Sequence, residues 1–582
     1  MGQSSAEHSA HALRERLLLL TGLSVIVGVA AGFMAYALYH LIGLITNLLF
    51  YGRLSDSFIS PDRNRLGLLE ILVPAFGGLL AGLMIKYGST RIIGHGIPES
   101  MEAVLLSRSK IEPKVGVLKA VSAAVTIGSG QPFGAEGPII QSGGAFGSFL
   151  GQIIPVTGSE RRVLLAAGAS AGMAAVFGTP ISAVLLSIEL LLFEFRVRSL
   201  IPVGIASAIG GWMHIYLITP KPLFETPAYG FGGIGLLPVF ALLGAVCGLV
   251  GTILSKGLYR SEDLFRRLPF GQPWLPALGG LAVGAVGLAV PQILGVGYNI
   301  ITDILSGRLL LDLVLMILIA KSVAWLFSMG SQTSGGTLAP FFMIGAALGF
   351  IYGQGVGAVL PGSPVPEVFA LAAMGAVFGS AARAPFTSVV FTLEVTHDYN
   401  GVLPVIITVV VAELVSEYIL KESLMTEKLA RRGLHVRHVY EYNPLRQIKV
   451  SQIMSSPPMC ADADRQVIGV YREWSSPASR YWKFKRLIVT SGGKPLGYIS
   501  RDQVWQAAAE GDPELTVKKI TQPIPVEVRA DSYAYEAFVA MVLANAAFAA
   551  VTDGDGKVTG YLSQGDLLAA HRRKVLDETA VG

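Results

Sequence analysis

Apolar stretches interrupted by glycine and proline, and seldom by charge, fill the chain from Leu17 to Leu420. LLLLTGLSVIVGVAAGFMAYAL (17–38), LLPVFALLGAVCGLVGTIL (236–254) and LLLDLVLMILIAKSVAWLF (309–327) are each near the roughly 20 residues that a bilayer-spanning helix needs. They predict an all-α, multi-pass membrane domain over residues 17–435, behind a polar N-terminal segment, 1–16. Past about residue 440 the pattern changes. Pro, Asp and Lys are interspersed, and short apolar strands appear at RLIVT (486–490) and AFAAV (547–551). Each strand precedes one copy of a repeat, GKPLGYISRDQV (493–504) and GKVTGYLSQGDL (556–567), that reads as a strand and a polar turn opening a helix. The spacing predicts a paired α/β module over 441–582, with copies at about 446–511 and 515–575.

The membrane part repeats as well. PISAVLLSIEL (180–190) matches PFTSVVFTLEV (385–395), with Glu189 and Glu394 each nine residues after the proline. AAVFG (174–178) matches GAVFG (375–379), and GAEGPIIQSGGAFGSFLG (134–151) echoes GGTLAPFFMIGAALGFIYG (335–353). Three matches in one order predict two related halves, about 17–218 and 234–425. Paired halves with Gly/Pro-interrupted apolar segments point to broken helices around a transport site.

Composition agrees with this reading. Of 582 residues, 52% are hydrophobic and 15% charged, against about 25% charged in a soluble domain. The net charge of +5 is spread over loops and the C-terminal part, which points to membrane flanks and surface and not to a nucleic-acid partner. Cys247 and Cys460 are too isolated for a disulfide framework or a metal site. Arg14 and Arg16 precede the first span and favour a cytoplasmic N-terminus. The basic stretch EKLARRGLHVRHVY (427–440) is expected at the inner membrane surface.

Three turns carry the candidate chemistry: GHGIP (94–98), GAEGP (134–138) and GGTLAP (335–340). Each precedes an apolar helical run. Glycine admits close backbone approach, and proline suits a first helical turn. That turn leaves N–H groups without partners and carries partial positive charge. Convergent ends of this kind would hold an anion without a free cation in the membrane. Glu136 is an acid placed inside this bare backbone, and function is the default reading of such a residue.

With these motifs in family order, joined by ARAPFTSVVFTLEVTHDY (382–399), the chain resembles the CLC chloride channels and transporters over about residues 15–435. The tail resembles the CBS pair often attached to them. The resemblance implies a homodimer in lipid with one anion pathway per subunit, serving the plasma (inner) membrane of a bacterium, both termini cytoplasmic. It implies that Glu136 gates the pathway. It implies an anion site of His95, Gly96, Ile97, Pro98, Gly134, Ala135, Gly137, Thr337, Leu338 and the position of Met425. His95 stands where the family has serine, Leu338 where it has phenylalanine, Ala135 where it often has a basic residue, and Met425 near its tyrosine. Coupled members carry an internal glutamate, which falls on Leu190, one residue after Glu189; Glu194 lies nearby. Leucine carries no proton, so passive, channel-like conduction of chloride or a similar anion is expected, with a proton-coupled anion antiporter as the alternative. Recurrence of Glu189 and Glu394 in both halves suggests capping or pairing. The CBS resemblance implies adenine nucleotide between the copies, held at Ser563 and Asp566, with Ser500 and Gln503 in the first copy; no other cofactor is required.

A different class of reading starts from GASAG (168–172), which fits a G-x-S-x-G nucleophile pattern at Ser170. An intramembrane serine hydrolase would need a base beside Ser170. Five small residues in a row account for the stretch as a close helix-packing surface, and a non-enzyme is expected.

Overall fold

The computed structural model describes residues 2–432 and 444–579, apart from 228, 447, 480 and 483. Contacts divide the chain into two compact units, one up to residue 440 and one from 441. Of the basic stretch 427–440, residues 433–440 lie outside the described residues.

The first half of the membrane unit contains eight helices: α1 (Gly2–Tyr51), α2 (Leu72–Tyr87), α3 (Ile97–Leu106), α4 (Pro113–Gly128), α5 (Glu136–Ile153), α6 (Gly158–Phe177), α7 (Pro180–Ser187) and α8 (Val197–Leu217). The second half repeats the series: α9 (Leu237–Arg266), α10 (Trp274–Ala289), α11 (Tyr298–Leu305), α12 (Leu311–Gly330), α13 (Leu338–Val359), α14 (Pro366–Ala382), α15 (Pro385–Thr396) and α16 (Val402–Ile419). A single turn, α17 (Glu427–Ala430), follows. Among the described residues, seven stretches are long and apolar enough to cross a membrane, and shorter helices such as α10, α14 and the α7 segment lie between them. The polar stretch expected ahead of the first span is continuous with it, because α1 already begins at Gly2.

Local signals set the helix ends. Thr157 and Glu160 form a capping box at the start of α6: Glu160 N–H donates to Thr157 Oγ1 at 3.2 Å, and Thr157 N–H donates to Glu160 Oε2 at 2.7 Å. The same carboxylate takes Arg16 at 2.7 Å and so ties α1 to α6. Gly178 ends α6 in the left-handed region (φ 68°), and Arg383 ends α14 in the same way (φ 55°). These caps correct one sequence match. AVFG ends the helix in the first half, but in the second the helix continues one more turn, so GAVFG (375–379) lies deeper than AAVFG (174–178).

Glu189 and Glu394 are the ties between the halves. Glu189 accepts the Phe386 and Thr387 N–H groups at the start of α15, at 3.1 and 2.9 Å. Glu394 accepts those of Ile181 and Ser182 at the start of α7, at 2.9 and 2.8 Å. The end of each short helix thus lies at the beginning of the other. The two helices run antiparallel, and the halves have opposite sense there.

The second unit holds two three-stranded sheets of identical plan. β1 (Cys460–Asp462) pairs parallel with β2 (Arg486–Ser491), which pairs antiparallel with β3 (Lys494–Ser500). β4 (Glu527–Arg529), β5 (Phe548–Thr552) and β6 (Val558–Ser563) repeat this. Even the register irregularity recurs, at Val489/Thr490 and at Val551/Thr552. Each copy adds two helices, α18 (Val467–Ser475) and α19 (Arg501–Ala509) in the first, α20 (Ala534–Leu543) and α21 (Gln564–Thr579) in the second.

Small residues allow α5 and α6 to approach closely. A methyl group on Gly168 would lie 2.0 Å from the Gly143 carbonyl oxygen, and one on Gly143 would lie 2.3 Å from that of Gly168. The GASAG stretch therefore serves packing. Gly168→Leu should lower stability by about 1–3 kcal/mol or prevent folding. Gly22→Ala, with nothing within 4 Å of the new methyl, should leave it unchanged. Thermal melts of the purified protein in detergent compare the two; equal melting would remove the packing role.

Candidate functional site

The three glycine-rich turns meet in the interior. Gly134 and Gly336 exchange backbone hydrogen bonds at 3.1 and 2.9 Å in an antiparallel bridge. Gly94 N–H donates to the Thr333 carbonyl at 2.9 Å, and Gly335 N–H to that of Gly94 at 3.3 Å. Side chains of α4 fasten the same point: Thr126 Oγ1 donates to the Ser334 carbonyl at 2.7 Å, and Ser122 Oγ to Ser334 Oγ at 2.9 Å. The first turns of α3, α5 and α13 are thus drawn together. Gly137 packs onto the His95 carbonyl so tightly that a methyl there would lie 1.7 Å from the oxygen.

Glu136 opens α5, but its carboxylate serves a different helix. Oε1 accepts the Leu338 N–H and, at 3.3 Å, the Ala339 N–H, both in the first turn of α13. Those donors would otherwise be unsatisfied, and the dipole of α13 favours a negative charge there. Glycine makes the room. A methyl on Gly134 would lie 1.8 Å from Oε2, and one on Gly336 would lie 2.5 Å from Oε1. Glu136 is only 1% exposed, and its Oε2 has no hydrogen-bond partner.

Of the other expected anion-site residues, His95, Gly96, Ile97 and Pro98 form the buried approach to α3. The Gly96 N–H is already taken by Glu99 Oε2 at 2.8 Å. His95 is 1% exposed with an unpartnered Nδ1. Gly134, Ala135, Gly137, Thr337 and Leu338 lie at the crossing of the α5 and α13 turns. Met425 is fully buried in the main apolar core, in the turn that precedes α17. Ala339 was not expected as a donor, although it follows Leu338 in the same first turn.

Two lysines were missed. Lys119 on α4 is fully buried and donates through Nζ to the carbonyls of Ile92 and Gly94, at 2.9 and 2.5 Å. Lys321 on α12 does the same for Ile293 and Gly295, both at 2.9 Å. Each stands 15 residues before its bridge glycine, Lys119 before Gly134 and Lys321 before Gly336. That spacing was the available signal. Glu136 is the charged neighbour that Lys321 feels. The lysines hold the loops ahead of α3 and α11 in place.

None of the expected proton-path residues has a spare carboxylate oxygen. Glu189 spends both on α15. Leu190 is fully buried and apolar. Glu194 accepts Ser199 Oγ at 2.6 Å and pairs with Arg196 at 3.5 Å. Ser170 Oγ has no hydrogen-bond partner, so the base a serine nucleophile needs is not beside it. A cavity of about 620 Å³ next to Pro98 is lined by charge, with Lys428 between Glu99 (3.4 Å) and Glu262 (3.9 Å).

In the second unit, Ser563 N–H and Oγ–H both donate to Asp566 Oδ2, at 2.8 and 2.7 Å, and Asp566 N–H returns to Ser563 Oγ at 3.2 Å. Ser500 and Gln503 build the same capping box in the first copy.

The family of voltage-gated chloride channels matches this chain over residues 77–417. A ClcB-like chloride channel protein of Ralstonia nicotianae is 30% identical, over 62% of this chain and 86% of its own. The H+/Cl− exchange transporter ClcA of Salmonella agona is also 30% identical, over 62% and 78%, and that of Vibrio campbellii 29% identical, over 69% and 91%. The crystal structure of a slow cyanobacterial Cl−/H+ antiporter superposes with a TM-score of 0.63 at 23% identity, covering 72% of this chain and 97% of the other. That of a eukaryotic CLC transporter gives 0.62 at 21%, covering 94% and 98%.

Replacing Lys119 by Met should orphan the Ile92 carbonyl, since that of Gly94 keeps the Gly335 N–H, and replacing Lys321 by Met should orphan those of Ile293 and Gly295. Each should cost about 1–3 kcal/mol per carbonyl. Both variants should melt well below the parent in detergent; parental melting of Lys119→Met would remove its pinning role.

Proposed function

The chain belongs to the voltage-gated chloride channel family, and from that premise we propose that it is a proton-coupled chloride exchanger whose gate is Glu136. It is an integral, multi-pass anion transport protein. The exchange reading displaces the passive conduction expected from Leu190, because two relatives near 30% identity are named as H+/Cl− exchange transporters.

One observation carries the proposal: the Glu136 carboxylate occupies the first turn of α13 as an anion would, with Oε2 left free. The carboxylate and a chloride compete for the same N–H donors. Protonation at Oε2 removes the charge that holds the side chain there and frees the donors. Chloride arriving at the vacated turn then commits the proton to leave on the other side. Backbone donors suit this cycle, because they bind without the full charge that would retain the ion. His95 Nδ1, buried and unpartnered, is proposed as a further donor to the anion. Ile97, Thr337 and Leu338 line the path through their backbones.

The functional unit is proposed to be a homodimer in the inner membrane of a bacterium, with both termini cytoplasmic. The second unit is proposed to be a CBS pair that takes adenine nucleotide between its copies at Ser563 and Asp566. Its twofold β-α-β-β-α plan supports this.

In reconstituted vesicles, an outward chloride gradient should drive protons inward and make the outer medium alkaline. Glu136→Gln should keep chloride flux, lose the proton flux and lose the dependence of chloride flux on pH. Chloride flux with no proton movement in the parent would return the protein to passive conduction. Millimolar ATP should raise the melting temperature of the purified protein's second unit, and Asp566→Ala should remove the rise; an ATP-insensitive melt would exclude nucleotide binding there.

A further inference from the structure

The two halves build the same junction from different residues. In the first half α6 ends at Gly178, and His214 on α8 bonds the Ala175 carbonyl at 2.9 Å. In the second, α14 ends at Arg383, and Ser416 on α16 bonds the Ser380 carbonyl at 2.6 Å. Ala175 and Ser380 each stand three residues before the cap, so His214 and Ser416 are equivalent positions. Three residues earlier on the same helix faces stand Gly211 and Glu413. The match of IPV (201–203) to LPV (403–405) gives the same register. Two glycines in one half are therefore an arginine and a glutamate in the other. The first half shows that the fold closes this junction without charge.

Glu413 lies on a membrane-spanning helix, about 9 Å from its end at 1.5 Å per residue. Its Oε2 is buried without a hydrogen-bond partner. The residue as a whole is only partly buried. The charged groups it feels are Arg383, Glu189 and, on its own helix, Glu417. Arg383 spends its two terminal nitrogens on the Lys421 and Leu420 carbonyls, at 3.2 and 2.5 Å, and leaves Nε without a partner. Glu189 is fixed on α15 and has no oxygen to spare. An arginine and a glutamate that influence one another and each keep a polar atom unpaired do not form a closed structural bridge. An ionisable group in such a position is a pathway element by default.

We propose that Glu413 carries protons between the aqueous phase at the α17 side of the membrane and the transport site. Its carboxylate takes a proton at Oε2 and passes it inward, and the acceptor is Glu136, whose Oε2 is likewise buried and unpartnered. The Arg383 guanidinium stabilises the carboxylate after the proton has left. This places a proton-carrying residue on α16, a helix the sequence reading left without chemistry. The proposal rests on the exchange reading of Glu136.

The test is chloride-driven proton flux in vesicles containing the full-length protein, measured beside chloride flux for the parent, Glu413→Gln and Glu413→Asp. Glu413→Gln should retain chloride flux while its proton flux falls about 100-fold or to the leak of empty vesicles. Glu413→Asp should restore coupled proton flux. An unchanged proton-to-chloride ratio in Glu413→Gln overturns the proposal and leaves the exchange reading intact. Equal ratios in the Gln and Asp variants, or loss of both fluxes in Glu413→Gln, also overturn it by making the residue structural. A parent that moves no protons overturns the exchange reading and this proposal together.

Discussion

Everything at the centre of the membrane unit depends on a carboxylate from one half resting on backbone N–H groups of the other. Glu136 begins α5, yet it satisfies the first turn of α13. For that contact to form, two turns must cross with almost no side chain between them. Gly134 and Gly336 provide the crossing, and Gly137 lets α5 settle onto the loop before α3. Buried lysines then hold the flanking loops by their carbonyls. Lysine side chains thus fix the flanking backbone, and the first-turn N–H groups of α13 are left to the carboxylate. A bound ion that must leave again is better held by dipoles than by an ammonium group.

The halves and the three turns were legible in the sequence because glycine and proline are costly in apolar helices and recur only where geometry demands them. Glu136 was legible for the same reason: it is a lone acid in bare backbone. The mutual capping by Glu189 and Glu394 could be suspected from their recurrence, but which N–H groups each would take could not. Lys119 and Lys321 were hidden inside apolar runs that read as plain spans, since nothing in such a run marks a carbonyl in need of a donor. The AVFG match misled by one turn. The two stretches share residues but not position, because the helix ends are set by the left-handed caps at Gly178 and Arg383.

The same comparison shows where sequence similarity between the halves stops being informative and difference begins to be. Equivalent positions that keep their type, such as Lys119 and Lys321, serve the frame. Equivalent positions that change from glycine to charge, such as Gly178 to Arg383 and Gly211 to Glu413, are not required by the frame and so call for another cause. Passive conduction was inferred from Leu190 alone. A transport protein can lose an acid at one position and carry one on a neighbouring helix, because a proton path needs a titratable group at a place in space and not at a place in the chain.

The reciprocal caps also bear on how the protein is made. The start of α7 is closed by Glu394, 213 residues later, and the start of α15 by Glu189, 198 residues earlier. At about 5–20 residues per second, the ribosome needs some ten to forty seconds to supply the missing cap. Until then α7 enters the bilayer with bare N–H groups at its first turn, a state that hydrocarbon penalises. The first half is therefore unfinished until residue 394 has been made, and a chain released before then lacks the carboxylate that closes α7.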